Sequence, residues 1–207
     1  MSIVLQGSTS GSVTLQEPAV AGTTVLTLPA VSGTILTTAS SGQSIPKAAL
    51  PTGSVLQVVQ TVKSDTFSMS SSTFADITGL SVSITPTSSS SKILVLFSTT
   101  LGILPTTAYS AGVRLLRGST SIYIGDASGS RIRASGWVWN ATSAYNMYVL
   151  SGSFLDSPAT TSSTTYKLQA ASGYSGQTLS INRDPMNADA DYTGLVPSQI
   201  TLMEIAA

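Results

Sequence analysis

Residues 79–85 read GLSVSIT, and their strict alternation decides the fold class of this chain. Leu80, Val82 and Ile84 occupy one face of an extended strand, while serine and threonine occupy the other. A period of two is typical of an antiparallel strand with one buried face and one solvated face. The sequence therefore predicts an all-β protein built from such strands.

Similar runs recur along the chain about every eight to twelve residues. The run at 92–97, KILVLF, is apolar on both faces and is predicted to lie in the centre of a sheet. No segment shows an apolar stripe of helical period, so little helix is expected. About ten strands with Gly-, Ser- and Pro-rich turns predict an antiparallel jelly-roll β-sandwich. The predicted strands are residues 55–62, 79–85, 92–97, 112–116, 121–124, 132–139, 146–154, 164–170, 178–182 and 199–205.

The N-terminal part of the chain has a different texture. The phrase Pro-Ala-Val-x-Gly occurs at residues 18–22 and again at 29–33. Short β-prone pieces, such as 3–5 and 13–15, alternate with Gly and Pro, and strands this short need neighbours. We predict a short-stranded repeat arm at 1–40, a linker at 41–54 and the jelly-roll domain at 55–207. The side chains predicted to dock the arm are Leu15, Pro18, Val20, Leu26, Leu28, Pro29 and Val31.

The composition excludes several classes of function. Nine basic residues balance nine acidic ones, and a phosphate-binding surface would need a basic excess, so no nucleic-acid partner is expected. The chain has no Cys and no His, which removes thiolate chemistry, Ser-His-Asp catalysis and the commonest zinc ligand. Charged residues make up only 9% of the chain, and about three residues in ten are Ser or Thr. Low charge reduces repulsion between copies and favours dense assemblies.

No export or membrane segment is visible in the sequence. No basic stretch precedes an apolar core near the start, so no signal peptide is expected. The longest apolar run, ILVLF at residues 93–97, is too short to span a bilayer. We expect no membrane insertion and no cofactor.

Trp137 and Trp139 flank Val138 and therefore share one face of a predicted strand. Two neighbouring indoles favour stacking against sugar rings, and Tyr145 and Tyr148 lie close by in sequence. A core or a subunit interface would use tryptophan equally well. These four aromatic residues are therefore candidates for either a glycan-binding surface or an interface.

The acidic loop NRDPMNADADY contains Asp184, Asn187, Asp189 and Asp191. Oxygen ligands of this density suit Ca²⁺, but the spacing matches no standard calcium loop. Asp and Asn are also common turn residues that bond their own backbone, so we expect a turn and no metal site.

Asp126 and Asp156 form the one conceivable glycosidase pair. Both lie in turn signatures, IGDASG and LDSP, and nothing in the sequence brings them together. We expect no catalysis. Arg131 and Arg133 lie two residues apart just after the predicted turn at residues 125–130, where they would anchor a carboxylate of another subunit or face solvent.

The final predicted strand is apolar on both faces. Ile200, Leu202 and Glu204 lie on one side, and Met203 and Ile205 lie on the other. An exposed terminal edge of this kind invites aggregation, so we expect an edge strand that a neighbouring subunit covers. A central strand in a monomeric sandwich is the alternative. The predicted subunit-interface residues are Ile200, Leu202, Met203 and Ile205.

Several phrases resemble those of a widespread family of structural proteins from tailed bacteriophages. The opening, SIVLQGSTSGSVTLQEPAVAGTTVLTLPAVSGTILTT, is similar to an N-terminal phrase that recurs in fibres, tail proteins and head-associated appendages. The stretches GSVLQVVQTVKSDTF, ITPTSSSSKILVLF, LLRGSTSIYIGDASGSR, SFLDSPATTSSTTYKLQ and SQITLMEIA resemble later phrases of that family in the same order. The resemblance covers nearly the whole chain.

The resemblance implies a homotrimer whose knob is a jelly roll of TNF/C1q type, with the terminal strand near the three-fold axis. It implies a virion structural protein that is assembled in the host cytoplasm and released by lysis. Such a protein is either a fibre or appendage that attaches to the host, for example to a surface glycan, or a capsid decoration protein. Its partners would be capsid, neck or tail proteins, and no catalytic residue is implied. A separate carbohydrate-binding module remains the alternative.

Overall fold

The structure, a computed structural model, describes residues 3–6, 9–15, 50–104, 110–139 and 145–207. The chain divides into two compact units, Met1–Ile45 and Pro46–Ala207. The predicted boundaries at residues 40 and 54 stay predictions. Within the described ranges, no helix is long and apolar enough to cross a membrane.

The first unit contains one antiparallel pair of strands, β1 (Ile3–Gln6) and β2 (Ser12–Leu15). Both coincide with short strands that the sequence predicts. Gly11, at the start of β2, has a φ of 80°, a left-handed conformation that glycine adopts at little cost. A single two-stranded hairpin is marginally stable in water, so this pair needs support from elsewhere.

The second unit contains the other described strands. Each overlaps a predicted strand except β4, whose three residues are too few for a pattern, and β9 covers only the second half of the predicted strand at 132–139. The strands are β3 (Val55–Lys63), β4 (Phe67–Met69), β5 (Ala75–Ile84), β6 (Lys92–Ile103), β7 (Ser110–Arg117), β8 (Thr120–Ile122), β9 (Gly136–Trp139), β10 (Met147–Asp156), β11 (Thr164–Ser172), β12 (Leu179–Ile181) and β13 (Ser198–Ile205).

The first sheet is organised around β6, the longest strand. One side of β6 pairs with β10 over nearly its whole length. The other side pairs first with β13 and then, near its C-terminal end, with β12. Beyond these, β3 pairs with β13 and β4 pairs with β12. The pairs β3/β4 and β12/β13 therefore act as two interrupted strands, and all pairings are antiparallel.

The second sheet has the order β5-β11-β7, with β8 and β9 both paired to the free edge of β7. If β3/β4, β8/β9 and β12/β13 each count as one strand, the unit has eight strands. When these eight strands are numbered 1 to 8 along the chain, the first sheet has the order 1-8-3-6 and the second has the order 2-7-4-5. This is the arrangement of a jelly roll, so the predicted all-β antiparallel sandwich is confirmed.

The core lies between the two sheets. Leu80, Val82 and Ile84 are buried while Ser81 and Ser83 are exposed, as the alternation in residues 79–85 predicts. The core also includes Ile93, Val95 and Phe97 of β6, Ala111, Val113 and Leu115 of β7, Tyr166 and Leu168 of β11, and Ile200 and Leu202 of β13.

The prediction that the last strand lies at a sheet edge is wrong. β13 pairs with β3 on one side and with β6 on the other, so it lies in the middle of the first sheet. A strand with two apolar faces suits this position, because one face packs in the core and the other forms part of a broad outer surface.

A buried polar network holds the N-terminal end of β13. Asn182 has a left-handed φ of 68°, which asparagine tolerates. Its Nδ2 donates to the carbonyl oxygens of Lys63 and Asp65 at 2.7 and 2.9 Å, and its Oδ1 accepts from Ser198 Oγ at 2.5 Å. The backbone N–H of Asn182 donates to the backbone carbonyl oxygen of Thr100 at 3.1 Å. The Asn182 side chain thus joins β13 to the C-terminal end of β3, and its backbone N–H adds a bond to β6.

A buried carboxylate holds the other end of β13. Glu204 is fully buried, and its Oε1 accepts hydrogen bonds from the amide and the hydroxyl of Thr87, both at 2.7 Å. Its Oε2 accepts from Gln57 Nε2 at 2.6 Å. Burial alone would raise the pKa of Glu204, but these hydrogen bonds outweigh it and bring the pKa below its usual value of 4.5.

We expect Glu204→Gln to lower the free energy of unfolding by about 1–3 kcal/mol at pH 7. The NH₂ group of glutamine would face a hydrogen-bond donor of Thr87 or Gln57 and could not accept from it. Since the folded pKa is lowered, the carboxylate stabilises the fold above pH 4.5 and loses this effect as the pH falls through its folded pKa. The difference between wild type and variant should therefore shrink towards pH 3 in denaturant titrations.

Asp126→Asn is the matched control, because Asp126 is exposed, and it should change the stability little at either pH. A Glu204→Gln effect that is absent, or that is the same at pH 7 and pH 3, would contradict this account of the buried carboxylate.

Candidate functional site

The outer faces of the two sheets differ in chemistry. The outward residues of β5, β11 and β7 are mostly polar or charged, among them Asp76, Ser81, Ser83, Arg114, Thr165, Lys167 and Gln169. Solvated faces of antiparallel sheets normally have this character. The outer face of the second sheet therefore shows what a solvated face of this protein looks like, and the outer face of the first sheet can be compared with it.

The first sheet has an apolar outer face. Its outward polar residues are Ser, Thr and Gln, and Lys92 is the one charged residue at the outward positions of β3, β13, β6 and β10. We call this surface the apolar face. Its apolar residues are Val55, Val58, Val62, Leu94, Leu96, Met147, Val149, Leu155, Met203 and Ile205.

One row of the apolar face is apolar across all four strands. Val58 pairs with Met203, Met203 with Leu94, and Leu94 with Leu155. With about 4.8 Å between neighbouring strands, the row spans about 14 Å. Val58 and Leu155 at its two ends are 54% and 53% exposed. Leu94 and Met203 between them are partly exposed, so the row is a candidate interaction surface.

The four residues predicted for the subunit interface divide between two faces. Ile200 and Leu202 are fully buried in the core of the protomer and have no surface left for another chain. Met203 and Ile205 lie on the apolar face. The alternation of β13 imposes this division, and only Met203 and Ile205 are placed where a second chain would reach them.

The two tryptophans lie at one end of the second sheet. In β9, Trp137 pairs with Gly112 and Trp139 pairs with Ser110, whereas Val138 between them packs against the core. Both indoles therefore lie on the outer side of this sheet, as the spacing predicts. Trp139 is 67% exposed.

The indoles line a groove with residues from other segments. Its volume is about 400 Å³, and we call it the aromatic groove. Tyr174 follows β11 and joins the groove because Gly173 N donates to Ser110 O at 2.6 Å. No local pattern in the sequence links Tyr174 to Trp137. The lining residues are Ser110, Arg131, Ile132, Trp137, Trp139, Gly173 and Tyr174.

Two glycines determine the shape of the aromatic groove. A Cβ on Gly112 would collide with the indole of Trp137 and with the carbonyl oxygen of Gly136. A Cβ on Gly173 would collide with Ser110 Oγ. The ring of Trp137 thus lies directly against bare backbone, which fixes its orientation.

The electrostatic character of the groove is basic. Arg131 donates from Nη1 to Ser128 Oγ at 2.9 Å, and no acidic residue lines the groove. In the part of the chain that the structure describes, Arg131 forms no ion pair. Outside the groove, on β7 of the same sheet, burial lowers the pKa of Arg114, and the charge of Arg133 lowers it further.

Tyr145 and Tyr148 lie apart from the aromatic groove. Tyr148 pairs with Leu101 in β6 and packs against the core. Tyr145 contacts Tyr192 edge to face, with 5.7 Å between ring centroids. The structure therefore groups the tryptophans with Tyr174 and not with these two tyrosines.

The acidic loop follows β12. Asn187 has a left-handed φ of 53°, which turn asparagines adopt readily, and Asp189 and Asp191 are exposed. Asp184 is buried, and its Oδ1 accepts no hydrogen bond. Within the described ranges, no three acidic side chains are grouped so that they could hold a metal ion.

Asp156 belongs to a buried structural network. Both of its carboxylate oxygens accept from Arg117 Nη1 at 2.8 Å, and Oδ2 also accepts from Tyr166 Oη at 2.6 Å. Burial and the neighbouring carboxylate raise the pKa of Tyr166, so the phenol keeps its proton. The network joins β10 of one sheet to β7 and β11 of the other. Asp126 is exposed and takes no part in it.

The predicted docking residues of the arm are largely outside the described residues. Leu15 is the last residue of β2. Pro18, Val20, Leu26, Leu28, Pro29 and Val31 are not described, and their role stays a prediction.

Comparison with solved structures finds distant likenesses, among them one to a virus protein and one to a bacteriophage protein. No protein-family model and no curated protein matches the chain. A chain in the structure of infectious bursal disease virus Gx strain is 14% identical with a TM-score of 0.34, and the match covers 74% of this chain and 37% of that one. The chain thus spans little more than a third of that protein. Another likeness is to the tripod (BppUct-A-L) from the baseplate of bacteriophage Tuc2009, at 13% identity, a TM-score of 0.20, and coverage of 93% and 84%. Neither likeness is close enough to assign a function.

We expect Gly112→Ala to cost about 1–3 kcal/mol of stability and to shift the tryptophan emission, because the added methyl displaces the Trp137 indole. Gly125→Ala is the matched control, since a Cβ there meets nothing within 4 Å. Denaturant titration and the emission spectrum measure both effects. If Gly112→Ala is as stable as the control and has an unshifted spectrum, the assigned position of Trp137 is incorrect.

Proposed function

We propose that the protein is a non-enzymatic structural component of a tailed-phage virion. In this proposal it is a homotrimeric fibre or surface appendage, docked to the particle by its N-terminal arm and exposing the jelly-roll unit. The observation that carries the proposal is the apolar face of the first sheet. The sequence resemblance supplies the kind of particle and the number of subunits.

The apolar face is best explained by contact with further copies of the chain. The four-residue row from Val58 to Leu155 crosses the full width of the sheet, whereas the outer face of the second sheet is polar. Complete burial of a Val, Leu or Met side chain contributes about 1.5–3 kcal/mol, so covering the half-exposed row contributes several kcal/mol per contact. The near absence of charge means that identical faces do not repel one another.

Three copies would form a closed ring in which each apolar face contacts a neighbour. Met203 and Ile205 of the central strand β13 would then lie near the axis, and the second sheet of each subunit would face outward. The aromatic groove gives such an appendage a surface for host attachment. Assembly in the host cytoplasm and release by lysis follow from the proposed particle.

A capsid decoration protein is the second candidate within the same class. The PAVAG and PAVSG units offer only two repeats, which suits a short docking element better than a long shaft. Partners would then be capsid proteins instead of neck or tail proteins. Electron microscopy of particles that carry a labelled copy of the protein distinguishes the head from the tail.

We predict that Val58→Glu and Leu155→Glu each convert the trimer into monomers. Both positions are about half exposed in one protomer, so a glutamate is tolerated there, but burying its charge between subunits costs several kcal/mol. Native mass spectrometry reports the subunit number, and denaturant titration confirms that the fold is retained.

Ser83→Glu is the matched control, because it introduces the same charge on the outer face of the second sheet. The control should remain trimeric. If the apolar-face variants stay trimeric, or if the Ser83 variant dissociates, the subunits meet through a different surface.

We predict that removing residues 1–40 leaves a soluble trimer that no longer joins the particle. The jelly-roll unit contains its own core and its own apolar face, while the arm supplies docking. Native mass and co-sedimentation with particles that lack the protein measure the two properties. A product that is insoluble, or that is monomeric in solution, would show that the arm is needed for trimer formation.

A further inference from the structure

The aromatic groove has the features of a carbohydrate site. Trp139 is largely exposed to solvent, and the Trp137 indole on the same face of β9 lies against the backbone of Gly112. The C–H face of a pyranose packs well on such rings, while its hydroxyl groups need polar partners at the rim. Tyr174, an exposed residue that lines the groove, carries a hydroxyl group of this use, whereas Ser110 is buried beneath it.

The charge in the groove narrows the class of sugar. Arg131 has no carboxylate partner in the described chain, and its planar guanidinium is suited to paired hydrogen bonds with a carboxylate. No acidic residue of the groove competes for it. A sugar that carries a carboxylate therefore fits the groove better than a neutral sugar.

The size and position of the groove favour a glycan over a protein segment. A volume of about 400 Å³ lies near the lower end of the roughly 300–1,000 Å³ that small-molecule sites occupy. The groove also lies on the outer side of the second sheet, across the sandwich from the apolar face. A trimer formed through the apolar face therefore leaves three grooves accessible.

We propose that the aromatic groove binds an acidic glycan. A pyranose ring stacks on Trp137 and Trp139, and its carboxylate pairs with Arg131. This inference rests on the proposed function only in that a host-attachment role needs the grooves to face outward in the trimer. Binding itself needs only one protomer in this proposal, because both indoles and the Arg131 guanidinium line the groove of a single chain.

Tryptophan emission of the full-length protein gives a direct test, because the chain has only two tryptophans and both line the groove. The probes are a hyaluronan hexasaccharide, which alternates glucuronic acid with N-acetylglucosamine, and chitohexaose, which contains N-acetylglucosamine alone. We expect the hyaluronan hexasaccharide to change the emission and to bind about tenfold more tightly than chitohexaose, because its carboxylates can form charge-assisted hydrogen bonds with Arg131.

Two variants assign the roles of the residues. Arg131→Gln should remove the preference for the acidic probe and leave chitohexaose binding unchanged. Trp139→Ala should weaken both probes about tenfold, as the loss of one stacking ring does. Tyr192→Ala is the control, because Tyr192 is an exposed aromatic residue outside the groove, and it should bind both probes like the wild type.

The proposal is overturned if neither hexasaccharide changes the emission, if the two bind equally, or if Arg131→Gln keeps the preference. The native mass of the Trp139→Ala variant distinguishes a failure of the glycan site from a failure of the proposed trimer. An unchanged trimer that has lost glycan binding supports both proposals, whereas dissociation of the trimer would place the indoles at a subunit interface and overturn the glycan site. A wild-type protein that binds the acidic probe but is monomeric would instead contradict the proposed assembly alone.

Discussion

The jelly roll depends on the insertion of β13 between β3 and β6. This strand supplies Ile200 and Leu202 to the core, and without it the first sheet would be divided into two parts. The insertion is strongly non-local, since Gln57 and Glu204 form a hydrogen bond across 147 residues of sequence. Such pairings carry a high loop-closure cost and become stable only when much of the sheet is formed. Buried polar groups at both ends of β13 fix its register, because a slip of one residue would turn Glu204 outward and Met203 inward.

The same strand connects the stability of the protomer to the proposed assembly. One face of β13 completes the core, and the opposite face supplies the centre of the apolar face. An apolar strand face is stabilised when it is covered, and in the part of the chain that the structure describes the core side of β13 is covered while Met203 and Ile205 lie on the outer side. The second sheet has no such requirement, because its outer face is polar and charged. The sandwich is therefore asymmetric: one sheet is suited to contact with copies, and the other is free to carry the aromatic groove.

Sequence patterns predict what is local in this structure and miss what depends on pairing. The alternation of Leu80, Val82 and Ile84 gives the strand and its buried face, because both depend only on neighbouring residues. Whether a strand is central or at an edge depends on its partners, so the two apolar faces of β13 were compatible with either position, and the edge prediction was wrong. The tryptophan pair was visible from its spacing, but Tyr174 joins the groove through the pairing of β7 with β11 and the contact of Gly173 with Ser110. No single-sequence pattern contains that contact.

The central claim is that the apolar face of the first sheet is covered by copies of the same chain. The mass of the unmodified full-length protein in native buffer, measured over a series of dilutions, tests this claim most directly. The account predicts the mass of three 21.2 kDa chains, persisting on dilution until the interfaces dissociate. The mass of a single chain at every concentration would contradict it, because the apolar face would then be exposed to solvent in the native protein.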